Sequence, residues 1–348
     1  MAIANDPQGE GSTVPLKRRF LGLPTIISFA IAIAFIAFLL TRFDIDVLST
    51  WEHVKDSNPG FLALAFGIYY LTFPVRGYRW RLLLRNVGTF KDAAGGQPSL
   101  PSVSVMILLS WFANSVTWFR LGDALRAYIL TNKFKASFPR TIGTVAAERL
   151  LDIGVVFSLL LLASIGLLRE ETSDTTKSVT LAASVLAAVG AATLLAMRIC
   201  GLRAARFLPG RLQLIYGRFQ EGTLGSFRNL PLLLVLSMVI WLVEAARLFF
   251  VMEALGFEVA LSMILFAALA HSLLTTIPLT PGGLGFVELG LTGLLALSLT
   301  RGEAASVTLL DRSITYLSIV VIGGAAFAIR QFFEMRRHRP EEPHPEPG

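Results

Sequence analysis

The sequence predicts an all-α fold, a polytopic integral membrane helical bundle of about 6–8 transmembrane helices in which two segments are re-entrant or broken. Three observations carry that prediction. The 348 residues are 54% hydrophobic and only 16% charged, against about 25% charged in a typical soluble domain, and the mean hydropathy is +0.63. The apolar residues are gathered into blocks of roughly 17–25, the length a helix needs to cross a ~30 Å hydrocarbon core. Two blocks carry signs of interruption, one in the charges that flank it and one in its own prolines and glycines. Disorder, a disulfide scaffold and a soluble enzyme are excluded by the same composition.

Charge sets the expected topology. The net charge is +7 and the isoelectric point about 9.8, which in a soluble protein would suggest nucleic acid. Here Lys and Arg cluster in short stretches beside apolar blocks, the pattern that orients membrane proteins, so no nucleic-acid partner is expected. The single cysteine, Cys200, forbids an internal disulfide and a cysteine metal cluster. The four histidines, His53, His271, His338 and His344, lack ligand spacing. No metal and no cofactor are expected.

Taken in order, the apolar blocks are 21–41, 60–75, 102–119, 141–168, 178–197, 230–251, 259–279, 283–300 and 305–330. Residues 1–20 read as a cytoplasmic tail. Lys17, Arg18 and Arg19 put the start inside, and the block after them exceeds the 7–15 residues of a signal core, so it reads as an uncleaved first span. Asp44, Asp46, Glu52 and Asp56 mark an outside loop, and Arg76, Arg79, Arg81, Arg85 and Lys91 an inside one. Arg120, Arg126, Lys133, Lys135 and Arg140 then mark the next loop as inside too. Two inside loops cannot flank a full span, so block 102–119 is expected to be re-entrant, in a form tolerated only when it is buried in protein or lines a wet cavity. Signs alternate again through an outside loop at 169–177 and a basic, amphipathic inside stretch at 198–229. Blocks 259–279 and 283–300 are separated only by Thr280, Pro281 and Gly282, and read as a hairpin of incomplete helices. Arg330, Arg336, Arg337 and Arg339 return the chain inside, so both termini are expected in the cytoplasm, the last residues, 332–348, as a disordered tail rich in Pro and Glu. Leu121-Gly122-Asp123 and Leu284-Gly285-Phe286 share two letters at the two breaks, an echo of the paired broken helices of repeat-built transporters, though so short a match is better explained by chance.

Ionisable groups within spans cost roughly 2.5–3.5 kcal/mol each and so are functional candidates. Glu148 and Asp152 lie four apart on one helix face with Arg149 beside them. They are either a site or a charged helix start snorkelling at the interface. Asn114, Arg120, Asp123 and Arg126 surround Gly122 at the first break, where an Arg fork suits phosphate or carboxylate. Those arginines could equally serve orientation alone. Pro278, Pro281, Gly282, Gly283, Gly285 and Glu288 interrupt an apolar run, so helical hydrogen bonds must fail there. The freed N–H groups could form an anion nest, with Glu288 favoured in the first turn of the next helix. The plainer reading is a tight turn capped by Glu288. Glu244 and Arg247 read as a neutralising structural pair, His271 as a hydrogen-bonded interhelical residue, and Asp311 and Arg312 as interfacial. P-loop, zinc-protease and nucleophile-elbow motifs are absent, so no catalytic residue is expected.

Four ordered elements resemble one family, the lysylphosphatidylglycerol synthase transmembrane family. They are Arg76-Gly77-Tyr78-Arg79-Trp80, Asn114 with Gly122-Asp123-Ala124-Leu125-Arg126, Glu148-Arg149-Leu150-Leu151-Asp152, and Pro278 through Glu288 with its Pro281-Gly282-Gly283-Leu284-Gly285 core. The resemblance covers about residues 20 to 331 and implies a flippase-like transmembrane domain over 21–331. It implies the transport half of the multiple peptide resistance factor, with no aminoacyl-transferase domain expected in this chain, and a bacterial inner membrane. The function expected is movement of an anionic or phosphate-bearing phospho-, hopanoid- or polyprenyl-linked lipid between leaflets. Arg126, Arg149 and Arg79 would hold the headgroup, the Pro-Gly-Gly break would lend backbone donors, and Glu148, Asp152 and Glu288 would position the arginines or meet a cationic part of the headgroup. Two alternatives remain open on the residues. One is a lipid-phosphate enzyme using the Glu148/Asp152 face as an acid-base or metal site. The other is a non-catalytic subunit that docks a cytoplasmic transferase through 198–229.

Overall fold

The computed structural model describes residues 52–90, 96–167, 174–201, 209–276 and 280–337. Among these residues the regular structure is entirely helical. The expected first span at 21–41, the N-terminal tail, residues 338–348, Pro278 and Leu279, and part of the basic stretch at 202–208 lie outside them, whereas residues 332–337, expected as the start of a disordered tail, are helical because they continue the last helix without a break.

Helix α1 (Pro59–Asn86) starts where the Asn58 side chain accepts the Gly60 N–H, with Pro59 at its first position. It continues well past the apolar block 60–75, so Arg76, Arg79, Arg81 and Arg85, expected in a cytoplasmic loop, are helical. Arg76 and Arg79 are buried outright. They are reinterpreted for a physical reason: each meets carboxylates from other helices, and an ion pair can lie where a lone charge cannot.

Helix α2 (Leu100–Val116), capped by the Ser99 hydroxyl, ends at a break. Phe119 and Arg120 both take left-handed backbone angles (φ 56° and 53°), which costs non-glycine residues about 1–3 kcal/mol each. Helix α3 (Leu121–Phe134) then folds back against α2. Asn114 bridges the break, its side-chain oxygen accepting the Gly122 N–H at 2.8 Å. The contact is so close that a Cβ on Gly122 would lie 1.9 Å from the Ser110 carbonyl oxygen. Gly122→Ala is therefore expected to pry this hairpin apart at a cost of about 1–3 kcal/mol, read as a lower unfolding temperature in detergent. Unchanged stability would mean that the helices separate freely.

Helices α4 (Phe138–Leu167), α5 (Asp174–Ile199), α6 (Gly210–Gly225) and α7 (Leu230–Leu255) follow. Helix α7 packs along α1, and α6 packs on α4. Helix α8 (Leu261–Thr276) leads to the second break, a tight turn at Pro281–Gly283 with Gly282 at φ 60°, before α9 (Phe286–Leu295). Helix α10 (Arg301–Arg312) begins with a Thr300/Glu303 capping box. It widens into π-helical turns over Ser313–Leu317 and Ile319–Gly323 and ends as α11 (Gly324–Arg337). Such widened turns are common at functional sites.

Two described helices, Leu230–Leu255 and Arg301–Phe332, are both long and apolar enough to cross a membrane. Helices α1 and α4 are as long, 28 and 30 residues, but carry charges within them. Four shorter helices pair around the breaks: α2 and α3 with 17 and 14 residues, α8 and α9 with 16 and 10, each under the ~20 a full crossing takes. The breaks meet one another. A Cβ on Gly282 would lie 3.2 Å from the Ser115 Cα, and the Tyr316 hydroxyl donates to the Ser115 carbonyl at 3.3 Å. Polarity is inverted relative to a soluble protein: Arg79 is 0% exposed and Leu162 62%, as expected where lipid takes the place of water.

Candidate functional site

The first cluster joins α1, α3, α4 and α7. The Arg79 guanidinium donates to Asp152 at 2.6 Å, to Glu148 at 2.9 Å and to the Ser237 hydroxyl at 2.6 Å. Glu148 holds Arg126 with its other oxygen at 2.8 Å. Arg126 stacks over the Trp80 ring, 4.8 Å from its centroid, and the Trp80 indole donates to Thr144. Glu148 and Asp152 share a helix face, as their spacing requires, and that face is buried well inside α4. The interfacial, snorkelling reading is overturned, because Arg79 and Arg126 supply the counter-charge that water would otherwise provide.

Arg149 points elsewhere, donating to Asp123 at 3.0 Å. Asp123 also faces Arg120 and Arg126, each at 3.6 Å. One carboxylate thus serves three guanidiniums. Within this cluster four arginines, 79, 120, 126 and 149, face three acids, 123, 148 and 152. The surplus positive charge falls on Arg120 and Arg149, whose side chains keep 26% of their surface open while Arg126 keeps 2%.

A second cluster lies across from the first. Arg76 pairs with Glu244 at 2.8 Å and lies between the Trp111 and Trp241 rings, 4.8 and 5.5 Å from their centroids. Glu244 also takes Arg247 at 3.3 Å, and Arg247 bonds Asp311. The Glu244/Arg247 pair is therefore present, but within a longer chain of charges. Asp311 and Arg312, expected at an interface, are buried, since each meets a partner of opposite charge. Arg312 donates to Glu288 at 2.6 Å and to the Gly282 carbonyl at 2.9 Å.

The second break differs from expectation in its donors. The N–H groups of Gly283, Leu284 and Gly285 are used internally, by the Thr280 carbonyl, the Pro281 carbonyl and the Glu288 carboxylate. These three cannot form an anion nest, because the turn closes on itself. What the break offers is close approach and a carbonyl that anchors Arg312.

Between the two clusters lies a cavity of about 160 Å³, room for several waters or a small polar headgroup. Five arginines line it: Arg76, Arg120, Arg149, Arg247 and Arg312. Of the residues singled out from sequence, Asn114, Arg120, Arg149, Asp152, Gly282 and Gly283 reach its wall. Arg79, Gly122, Asp123, Arg126, Glu148, Pro281, Gly285 and Glu288 stand behind it as its framework. Sequence reasoning missed Trp111, Trp241, Tyr69 and Tyr316, took Glu244, Arg247 and His271 as structural and Arg312 as interfacial; all eight line the cavity. The available signal was Arg247, Asp311 and Arg312 together, three charges within apolar blocks whose partners lie far away in sequence.

The family described as the lysylphosphatidylglycerol synthase TM region matches residues 25–323. The UPF0104 membrane protein MJ1078 of Methanocaldococcus jannaschii is 33% identical over 224 residues, which are 63% of this chain and 94% of that protein. A UPF0104 membrane protein of Methanothermobacter thermautotrophicus is 24% identical over 307 residues, 80% of this chain and 86% of its own. Glycosyltransferase AglD of Haloferax volcanii is 25% identical over 333 residues, 83% of this chain, and the match spans 52% of AglD. The four motifs, the buried charges they place and the match over residues 25–323 agree: this is a membrane protein belonging to the lysylphosphatidylglycerol synthase TM region family.

Proposed function

We propose that this protein binds the anionic, phosphate-bearing headgroup of a lipid in the arginine-lined cavity and moves that lipid between leaflets. The observation that carries the reading is the unbalanced cluster, in which Arg120 and Arg149 share Asp123 and open into the cavity. An anion there supplies the missing counter-charge, and guanidinium forks suit phosphate oxygens. Arg126 and Arg79 support the site from behind in place of touching the ligand. Broken helices that meet beside such a cavity are the arrangement by which transporters place a polar site at membrane depth. In this reading the two helical hairpins are half-crossings, the bundle has about 6–8 spans, and both termini face the cytoplasm. The expectation of a bacterial inner membrane rests on family resemblance alone, as the relatives above are archaeal.

The acid-base enzyme reading has weaker support, since Arg79 occupies both Glu148 and Asp152. The subunit reading draws support from one observation, the match to about half of a protein named a glycosyltransferase. A test separates them. Proteoliposomes carrying the purified chain and fluorescent phosphatidylglycerol are exposed to a membrane-impermeant quencher. The inner-leaflet label is expected to become accessible faster than in empty vesicles and faster than labelled phosphatidylcholine. Equal rates in protein-containing and empty vesicles would overturn transport by the isolated chain and favour the subunit reading.

A further inference from the structure

His271 lies on α8, is 6% exposed, and lines the cavity. Its Nε2 is buried and has no hydrogen-bond partner among the described residues. Every other ionisable side chain in the wall is engaged. Arg120 and Arg149 share Asp123, Arg76 meets Glu244, Arg247 meets Asp311, Arg312 meets Glu288, and Asp152 meets Arg79. The Tyr69 and Tyr316 hydroxyls donate to the Thr315 and Ser115 carbonyls. A buried imidazole nitrogen left without a partner, beside a cavity that the charge count marks as anion-binding, requires an explanation. Leaving such an atom unsatisfied costs about 1–3 kcal/mol.

The surroundings narrow that explanation. Helices α4, α7 and α9 pack against α8, bringing Arg149 and Asp152, Glu244 and Arg247, and Glu288 to this part of the bundle. Arg312 and Arg247 share the cavity wall with the ring. Both carry carboxylate partners, yet among the described residues no carboxylate is bonded to the imidazole itself. An imidazolium is disfavoured beside these arginines in the empty cavity, and the phosphate that offsets their surplus charge lowers that cost and brings oxygens to the ring. Histidine is the side chain whose charge changes near neutral pH in response to such a neighbour.

We infer that His271 is a headgroup-binding residue that takes up a proton as an anionic lipid enters, so that ligand and proton occupy the cavity together. The proton comes from water or buffer and goes to the imidazole, and the new N–H donates to a phosphate oxygen. When the headgroup leaves, the proton leaves with the counter-charge. Transport by this site is then linked to pH, a property that rests on the anion-binding reading above and goes beyond it.

The test is calorimetric titration of the purified full chain in detergent with short-chain phosphatidylglycerol, whose phosphodiester keeps its charge throughout the neutral range. Titrations in Tris and in HEPES, which differ in ionisation enthalpy, report protons exchanged. The expected result is a binding enthalpy that differs between the buffers by the uptake of up to about one proton near pH 7. His271→Gln and His271→Asn, checked for monodispersity by gel filtration, are expected to bind several-fold more weakly and with no buffer dependence. Wild-type binding without proton uptake would overturn this inference and leave the anion site standing. Uptake that persists in a well-folded His271 variant would also overturn it. Absence of binding in the wild type would overturn both. The wild-type measurement decides the matter even where neither variant folds.

Discussion

Glu148→Ala is expected to destabilise the protein by about 3–5 kcal/mol, the cost of leaving a buried charge without its partner. Arg126 would lose its contact at 2.8 Å and keep only Asp123 at 3.6 Å and the face of Trp80. Arg79 would retain Asp152 and Ser237, so most of the loss arises at Arg126. Glu148→Gln keeps an acceptor without the charge and should fall between. The double variant Glu148→Ala/Arg126→Met removes both ends of the pair and should recover part of the loss, since buried pairs replaced together are often tolerated. Thermal unfolding in detergent, followed by tryptophan fluorescence, measures each. A Glu148→Ala protein as stable as the wild type would show that the buried network rearranges without cost.

Arg149→Ala is expected to act on binding instead. Its side chain is more open than that of Arg126 and its one bond is to a carboxylate that two other arginines also face, so the fold should tolerate its loss. A hydrogen bond to a charged group contributes about 1.5–3 kcal/mol, which corresponds to roughly 10–100-fold weaker headgroup binding. Arg120→Ala should behave alike, with a further loss of its anchor to the Thr275 carbonyl across the two breaks. Arg149→Lys keeps the charge without the fork and should be intermediate. Arg140→Ala serves as the control, because its pair with Glu221 is solvent-facing and away from the cavity. Titration with short-chain phosphatidylglycerol reads the series. Equal affinity for wild type and Arg149→Ala would remove the assignment of the anion to this cluster.

The motifs were legible because each is local. Glu148 and Asp152 had to share a face, and they do, both bonding Arg79. The prolines and glycines at 281–285 had to break a helix, and the turn is there. The misreadings share a cause. Arg76 and Arg79 looked like loop markers, and Asp311 and Arg312 like an interface, because a charge beside an apolar block has the same appearance whether water or a distant residue neutralises it. Glu244 lies 168 residues from Arg76, and Asp152 lies 73 from Arg79. No local pattern reports a partner at that range.

Composition and block length were enough to determine a helical membrane protein, and the spacing of its motifs was enough to determine the family. These depend on hydropathy and on near neighbours along a helix, which the chain carries in linear order. Only the tertiary structure decided which arginines are framework and which face a cavity, that the two breaks meet, and that His271 stands beside them with an unpartnered nitrogen. The physical reason is that the function of a buried charge is set by the balance of its neighbours. That balance exists only once helices far apart in sequence have packed.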